Sequence, residues 1–192
     1  MWKEQKEFDC IVVGGGPAGS TFARVAAEGG LSVLLLEKDR DIGVPVRCGE
    51  AVSDAGLRIF HEPDPRWIAS TINRIRLIAP NETMVEFDLQ QKGYILDRRI
   101  FDYDLAEYAS SAGAQIVTKA YVDDVIIEND RVVGVKGTHV GERFEKRAKI
   151  VVGADGVESR VGRWAGLKTT VKLKNMECGI QKTLTTIDVD YH

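Results

Sequence analysis

The sequence of 192 residues has little cysteine, little histidine and no large surplus of either charge. Cys10, Cys48 and Cys178 lie far apart and share no metal-ligand or disulfide spacing, so neither a metal centre nor a disulfide framework is expected. The three histidines, His61, His139 and His192, have no constellation around them and read as structural or surface residues. Lys and Arg number 26 against 29 Asp and Glu, a net charge of -3. Without a basic stripe to displace counterions from phosphates, nucleic acid is not expected as a partner. No apolar run approaches the length of a membrane span. The opening stretch Met1-Trp2-Lys3-Glu4-Gln5-Lys6-Glu7 mixes both signs of charge and leaves no room for a signal peptide before the first apolar segment. A reduced, cytoplasmic protein is the expectation. A chain of this length can bury roughly 70% of its unfolded surface, enough for one large domain or one and part of a second.

What the sequence does have is a glycine turn in a telling place. Phe8-Asp9-Cys10-Ile11-Val12-Val13 is a short apolar run followed at once by Gly14-Gly15-Gly16-Pro17-Ala18-Gly19, glycines in the G-x-G-x-x-G register. Gly14 permits the turn, Gly16 lets the backbone approach a pyrophosphate, and Gly19 lets the next helix pack closely on the strand. Pro17 suits an early helical position, which has no internal N–H bond to lose. Unpaired N–H groups at that helix start, with the positive end of its dipole, would face phosphates. A second strand, Ser32-Val33-Leu34-Leu35-Leu36, ends in Glu37, where a carboxylate accepts hydrogen bonds from an adenosine ribose and repels a 2′-phosphate. FAD or NAD(H) is therefore expected rather than NADP(H).

Along the rest of the chain, a helix is expected over Ala18 to Glu28, with Phe22, Val25 and Ala26 on the face that covers the sheet. Residues Asp39 to Glu50 read as an irregular stretch, which favours a flavin-type layout over a plain nicotinamide one. Asn73 to Ala79 and Met84 to Asp88 read as a hairpin around Pro80-Asn81-Glu82, with Tyr94-Ile95-Leu96 a further short strand. The spacing of Phe101, Leu105 and Tyr108 to Ala109 predicts a helix over Arg99 to Ser111, and Gln115 to Thr118 a strand. Val122 to Ile127 and Arg131 to Lys136 form a second hairpin signal, with Phe144 to Arg147 as a third strand of a meander covering the flavin-binding sheet. Lys149-Ile150-Val151-Val152 is expected as a separate buried strand running into Gly153-Ala154-Asp155-Gly156. The fold class is thus α/β, a Rossmann-like FAD/NAD(P)-binding domain with part of an antiparallel β substrate domain. Residues 1–72 and 97–168 are assigned to the former, and 73–96 with 169–192 to the latter, truncated at its C-terminal side.

Five stretches together resemble the geranylgeranyl reductase family, within the flavoproteins built like p-hydroxybenzoate hydroxylase. They are DCIVVGGGPAGS (9 to 20), LLLEK (34 to 38), PVRCGEAVS (45 to 53), ILDRRIFD (95 to 102) and IVVGADGVESRVGRWAGL (150 to 167). The first two say only dinucleotide, the last points to the hydroxylase-like group, and PVRCGEAVS is the stretch associated with the reductase family itself. The likeness is nearest to the archaeal digeranylgeranylglycerophospholipid reductase branch. Members of the family are longer than this chain, which resembles their N-terminal part.

The resemblance implies an FAD enzyme that saturates carbon–carbon double bonds of isoprenoid chains in membrane-lipid precursors. It implies an isoprenoid lipid substrate, a low-potential electron donor (ferredoxin or an NAD(P)H system) and peripheral contact with a membrane. By residue, it implies Gly14, Gly16, Pro17, Ala18 and Gly19 at the pyrophosphate, and Glu37 with Lys38 at the adenosine ribose. Arg98, in the Arg98-x-x-Phe101-Asp102 pattern, falls near the flavin's phosphate or ribityl region. Val122, Asp155 and Gly156 lie by the cofactor, and Arg47, Cys48 and Gly49 close to the isoalloxazine. Cys48 would donate or position a proton in alkene reduction; the alternative is a small buried residue in a tight loop. Asp155 could equally be a turn residue before Gly156. Two other functions stand beside the reductase: an FAD-dependent aromatic monooxygenase, and a non-catalytic FAD-binding fragment.

Overall fold

The computed structural model of the chain describes residues 2–181. Residues 182–192, including His192 and the end of the segment assigned to the substrate side, lie outside the described residues.

Strand β1 (Glu7–Val13) runs into helix α1 (Pro17–Glu28) and back into β2 (Val33–Leu36). Nearly every residue of these two strands is buried, because both faces of the sheet are covered. That is why they read as continuous apolar runs rather than alternating ones. Cys10, Val12, Val33 and Leu35 face Ala23 and Ala27 of α1, whereas Phe8, Ile11, Val13, Leu34 and Leu36 face the opposite way. Helix α1 meets the sheet through Gly19, Ser20, Ala23 and Ala27, not through the larger side chains. Phe22 and Val25 are 37% and 56% exposed, which corrects the expected orientation. Small residues on that stripe let the helix approach closely, and bulkier ones would hold it off.

A short strand β3 (Ala51–Ser53) and helix α2 (Asp54–Arg58) precede a long hairpin, β4 (Ile68–Ile78) and β5 (Met84–Leu96). Tyr94-Ile95-Leu96 is the end of β5 and not a separate strand, since the pairing runs on through Tyr94. These three strands form an antiparallel sheet in the order β3-β5-β4. Its base is held to helix α3 (Arg98–Ser111) by Asp104, whose carboxylate accepts bonds from Trp67 Nε1 and Arg66 Nη2, both at 2.7 Å. Trp67, Tyr94, Leu96, Phe101 and Leu105 pack together there.

Strand β6 (Gln115–Val117) pairs parallel with β2, and β7 (Ala120–Glu128), β8 (Arg131–His139) and β9 (Glu142–Gly153) follow as a meander. The expected third meander strand and the expected buried strand are one strand. β9 pairs with β8 through residues 142–147 and parallel with β1 through residues 147–153. The sheet order is therefore β6-β2-β1-β9-β8-β7. Through this long strand the meander folds back over the sheet, and Ala120, Val122, Val125 and Val135 close the core on the side away from α1. The β1-paired half of β9 is less covered than expected: Ile150 is 54% exposed, beyond the last pairing of β9 with β8 at Arg147. Lys146 is buried in β9. Its Nζ donates to the carbonyls of Trp2, Lys3 and Gln5, which ties the N-terminal segment to the meander. No helix of the described residues is long and apolar enough to cross a membrane, and no group of His, Cys, Asp or Glu among them is placed to hold a metal ion. Helix α4 (Arg160–Trp164) follows β9, and a 3-10 turn at Leu173–Asn175 is the last of the described elements.

Candidate functional site

From β1 the chain crosses to β2 on one side of the sheet, while β9 joins β1 on the other. In parallel sheets of this kind ligands bind beyond the carboxyl ends of the strands, where the order reverses. A cavity of about 310 Å³ lies there, at the lower end of the range typical of small-molecule sites.

The glycine turn forms its floor. Gly14 has φ +106°, and a Cβ on it would come within 2.3 Å of the Ala154 carbonyl oxygen. A Cβ on Gly19 would come within 2.0 Å of the Gly14 oxygen, so Gly19 is a packing residue behind the cavity. Gly16 differs: a Cβ there would meet nothing within 4 Å, because its backbone borders open space. Gly16 is also the N-cap of α1, with no side-chain cap bond and no acid in the first turn. The first turn of the helix thus supplies no anion to its own positive end.

Glu37, at the end of β2, sits beside this turn. Its carboxylate accepts hydrogen bonds from Gly15 N (2.6 Å) and Asp39 N (2.8 Å), one on each oxygen, which fixes its orientation and leaves further lone pairs for ligand hydroxyls. Beyond it, Lys38 approaches Glu158 at 4.0 Å, and Arg160 Nη1 donates to the Tyr121 hydroxyl at 2.5 Å. Val122 and Gly156 line the same end. Asp155 lines the cavity too, and its Oδ2 accepts the Val161 N–H at 3.0 Å, which anchors the start of α4.

At the other end the loop Gly43 to Cys48 faces Arg98 and Asp102. Arg98 is held by Asp102 through two bonds, Nε to Oδ1 at 2.6 Å and Nη2 to Oδ2 at 2.8 Å. These bonds raise the Arg98 pKa above its ordinary value, with Cys48 contributing in the same direction. Cys48 is exposed, not the small buried residue of the alternative reading, and its sulfur accepts the Glu50 N–H at 3.3 Å. Cys48 and Arg98 also border a second, apolar groove of about 480 Å³, walled by Leu57, Phe60, Leu96 and Phe101.

Of the residues expected at the site, Gly14, Gly16, Glu37, Lys38, Arg47, Cys48, Arg98, Val122, Asp155 and Gly156 line the first cavity. Pro17 and Ala18 border the groove instead, Gly19 lies behind the turn, and Gly49 borders neither. Gly15, Asp102, Tyr121, Arg160 and Trp164 line the cavity as well and were not expected. Gly15, Asp102, Arg160 and Trp164 stand inside the motifs already quoted, so position in the motif was their signal. Tyr121 carried none, since its meeting with Arg160 spans 39 residues of sequence.

A parallel sheet with an uncapped glycine-turn helix start and a fixed acid at the next strand's end defines a dinucleotide-binding fold. Residues 9–189 match the family model described as FAD dependent oxidoreductase, and the chain belongs to that family, whose cofactor is FAD. Residues 2–181 fit such a ligand: the open space at Gly16 and the free helix start suit a pyrophosphate, and the Glu37 carboxylate suits a ribose. The chain is 49% identical over 189 residues to digeranylgeranylglycerophospholipid reductase from Methanocella arvoryzae, covering 96% of this chain and 48% of that protein. It is 46% identical over 187 residues to digeranylgeranylglycerophospholipid reductase 2 from Methanococcoides burtonii, covering 95% and 46%. The chain thus spans about half the length of the curated relatives it matches. Among solved structures, a geranylgeranyl bacteriochlorophyll reductase-like protein from Thermoplasma acidophilum superposes with a TM-score of 0.81 at 42% identity, over 88% of this chain and 44% of that one. The myxobacterial chondrochloren halogenase, an FAD-dependent halogenase, superposes with a TM-score of 0.67 at 26% identity, over 82% and 39%.

Proposed function

We propose that the chain is the FAD-holding part of a reductase that saturates carbon–carbon double bonds of isoprenoid chains in membrane-lipid precursors. The likeness to the archaeal reductases supports the substrate class. The observation that carries the reading is the junction at Cys48 and Arg98, where the glycine-turn cavity and an apolar groove share the same wall. An isoprenoid chain needs apolar space beside the reacting ring, and the groove supplies it.

In this reading Gly14, Gly16 and the start of α1 at Pro17 and Ala18 receive the pyrophosphate, and Gly19 packs behind them. Glu37 accepts the ribose hydroxyls, with Lys38 and Val122 beside it and Asp155 and Gly156 close by. Arg98 faces the flavin's phosphate and ribityl side, and Arg47 and Cys48 border the ring, with Gly49 next to them in the loop. FAD, once reduced, supplies a hydride from its ring nitrogen. The chain must orient the alkene, exclude water and deliver a proton to the second carbon. Cys48 is the proton donor or the group that positions it. Residues 1–72 and 97–168 serve the cofactor, and 73–96 with 169–192 belong to the substrate side. A low-potential donor, ferredoxin or an NAD(P)H-fed system, delivers the electrons. Peripheral contact with a membrane follows from a lipid substrate.

The test has two stages. The purified chain should show a flavin spectrum that Glu37→Ala abolishes, and a folded chain that never retains FAD would refute the half-site. The protein containing this chain, reduced with dithionite without oxygen, should add one dihydrogen per double bond to a digeranylgeranyl lipid, read by mass spectrometry. Unchanged reduction by Cys48→Ser would remove the thiol from the mechanism.

A further inference from the structure

Helix α3 begins with two cations, Arg98 and Arg99, at the end where the helix dipole disfavours them. Each is matched by an acid, but in different surroundings. Arg99 pairs with Asp97 at a largely exposed position, with side-chain exposures of 66% and 20%. Arg98 pairs with Asp102 at 21% and 6%, largely withdrawn from water. A withdrawn ion pair gains little stability over an apolar pair of the same shape, because desolvation offsets the attraction. Its geometry is a better guide to its use. The two parallel bonds from Nε and Nη2 lock the plane of the guanidinium, leaving Nη1 and the outer edge of Nη2 for other partners. Arg98 and Asp102 both line the nucleotide cavity, beside the loop Gly43 to Cys48.

We propose that Asp102 is a positioning residue: by fixing the Arg98 guanidinium it presents a pre-oriented cation to the flavin side of the dinucleotide, and sets the affinity for that half alone. The inference rests on the FAD reading above and extends it to a residue that need not touch the ligand. A free arginine side chain would have to be ordered on binding, and the ordering would weaken the complex. Asp102 has already ordered it.

The experiment is a double-mutant cycle on the full chain with two ligands, FAD and AMP, the latter reaching only the Glu37 end. Asp102→Asn should weaken FAD binding about tenfold and leave AMP binding within about twofold, with no further loss when added to Arg98→Met. Asp102→Glu keeps the charge and displaces the carboxylate by a methylene, and should give a smaller loss of the same kind if the amide variant does not fold. Equal losses for FAD and AMP, or the same loss in the Arg98→Met background, would overturn the positioning role. A parent chain that binds AMP but not FAD would overturn it too while leaving the adenosine half-site intact. A parent that binds neither would refute the FAD reading itself.

Discussion

Gly14, Gly16 and Gly19 share one motif but have different surroundings, and substitution should separate them. A methyl group on Gly19 would strike the Gly14 carbonyl at 2.0 Å, and one on Gly14 would strike Ala154 in a left-handed backbone. Both contacts are with main chain, which cannot swing aside. Gly19→Ala should therefore cost at least about 1–3 kcal/mol. Gly16→Ala meets open space and should change the stability of the ligand-free chain by no more than about 1 kcal/mol, the scale of an N-cap change. The same methyl group would occupy space that a pyrophosphate needs, so FAD affinity should fall at least about tenfold, worth 1.4 kcal/mol. Urea denaturation and flavin fluorescence titration check the two halves of this prediction. An unstable Gly16→Ala, or one that binds FAD normally, would count against a ligand position there. Gly14 was legible because its left-handed backbone admits essentially glycine alone, Gly19 because main chain leaves no room for a Cβ, and Gly16 through the motif the three share.

At the scale of elements the reading was less complete, for identifiable reasons. The existence of α1, α3 and the hairpins followed from periodicity and turn residues, but the face that α1 turns to the sheet did not. Phe22 and Val25 weigh more than Ala23 and Ala27 on any hydrophobicity scale, yet close packing selects the smaller pair. The continuity of β9 was hidden because its two halves pair with different neighbours, and its charged residues Glu145 to Lys149 look like a break. One link across those elements gives a pH prediction. Asp9 in β1 accepts bonds from Lys149 Nζ at 2.7 Å and from Ser32 N and Oγ at 2.9 and 2.8 Å, joining β1, β9 and the approach to β2. Its pKa is held well below the ordinary carboxylate range, chiefly by the Lys149 bond and then by Ser32. A carboxylate with a lowered pKa in the folded state stabilises fully above its unfolded value, about 3.9, and the contribution is lost as pH falls toward the folded value. The urea midpoint of the parent should therefore exceed that of Asp9→Asn at about pH 7. The gap should narrow at about pH 3, and a gap that stayed constant would mean the link does not depend on the charge.

For the molecule as a whole, the site is where every layer of the fold meets, and that was the least legible feature. Gly14 N donates to the Leu36 carbonyl, Glu37 N to Val117, and Ala120 N to the Glu37 carbonyl. The segment around Glu37 is thereby stitched to β1, β6 and β7 at once. Sequence motifs supplied Gly14, Glu37 and Arg98 one by one and carried Asp102 beside Arg98 without a role, whereas Tyr121 reaches the site only through tertiary folding, by its bond to Arg160, and had no local pattern to announce it. Because the cavity wall belongs to both sides of the sheet, occupying it should stabilise the whole chain cooperatively. A ligand that binds only the folded form adds about 2.7 kcal/mol at a hundredfold excess over its dissociation constant. For a chain of this size that corresponds to a rise in Tm of about 5–11 °C. Glu37→Ala removes the carboxylate that fixes Gly15 and Asp39, so its ligand-free Tm should fall, and FAD at the same concentration should restore little of it. Riboflavin lacks both phosphates and the adenosine, so it reaches neither the α1 N-terminus nor Glu37 and should leave the parent's Tm unchanged. A riboflavin shift as large as that of FAD would move the binding energy away from the glycine turn and onto the apolar groove.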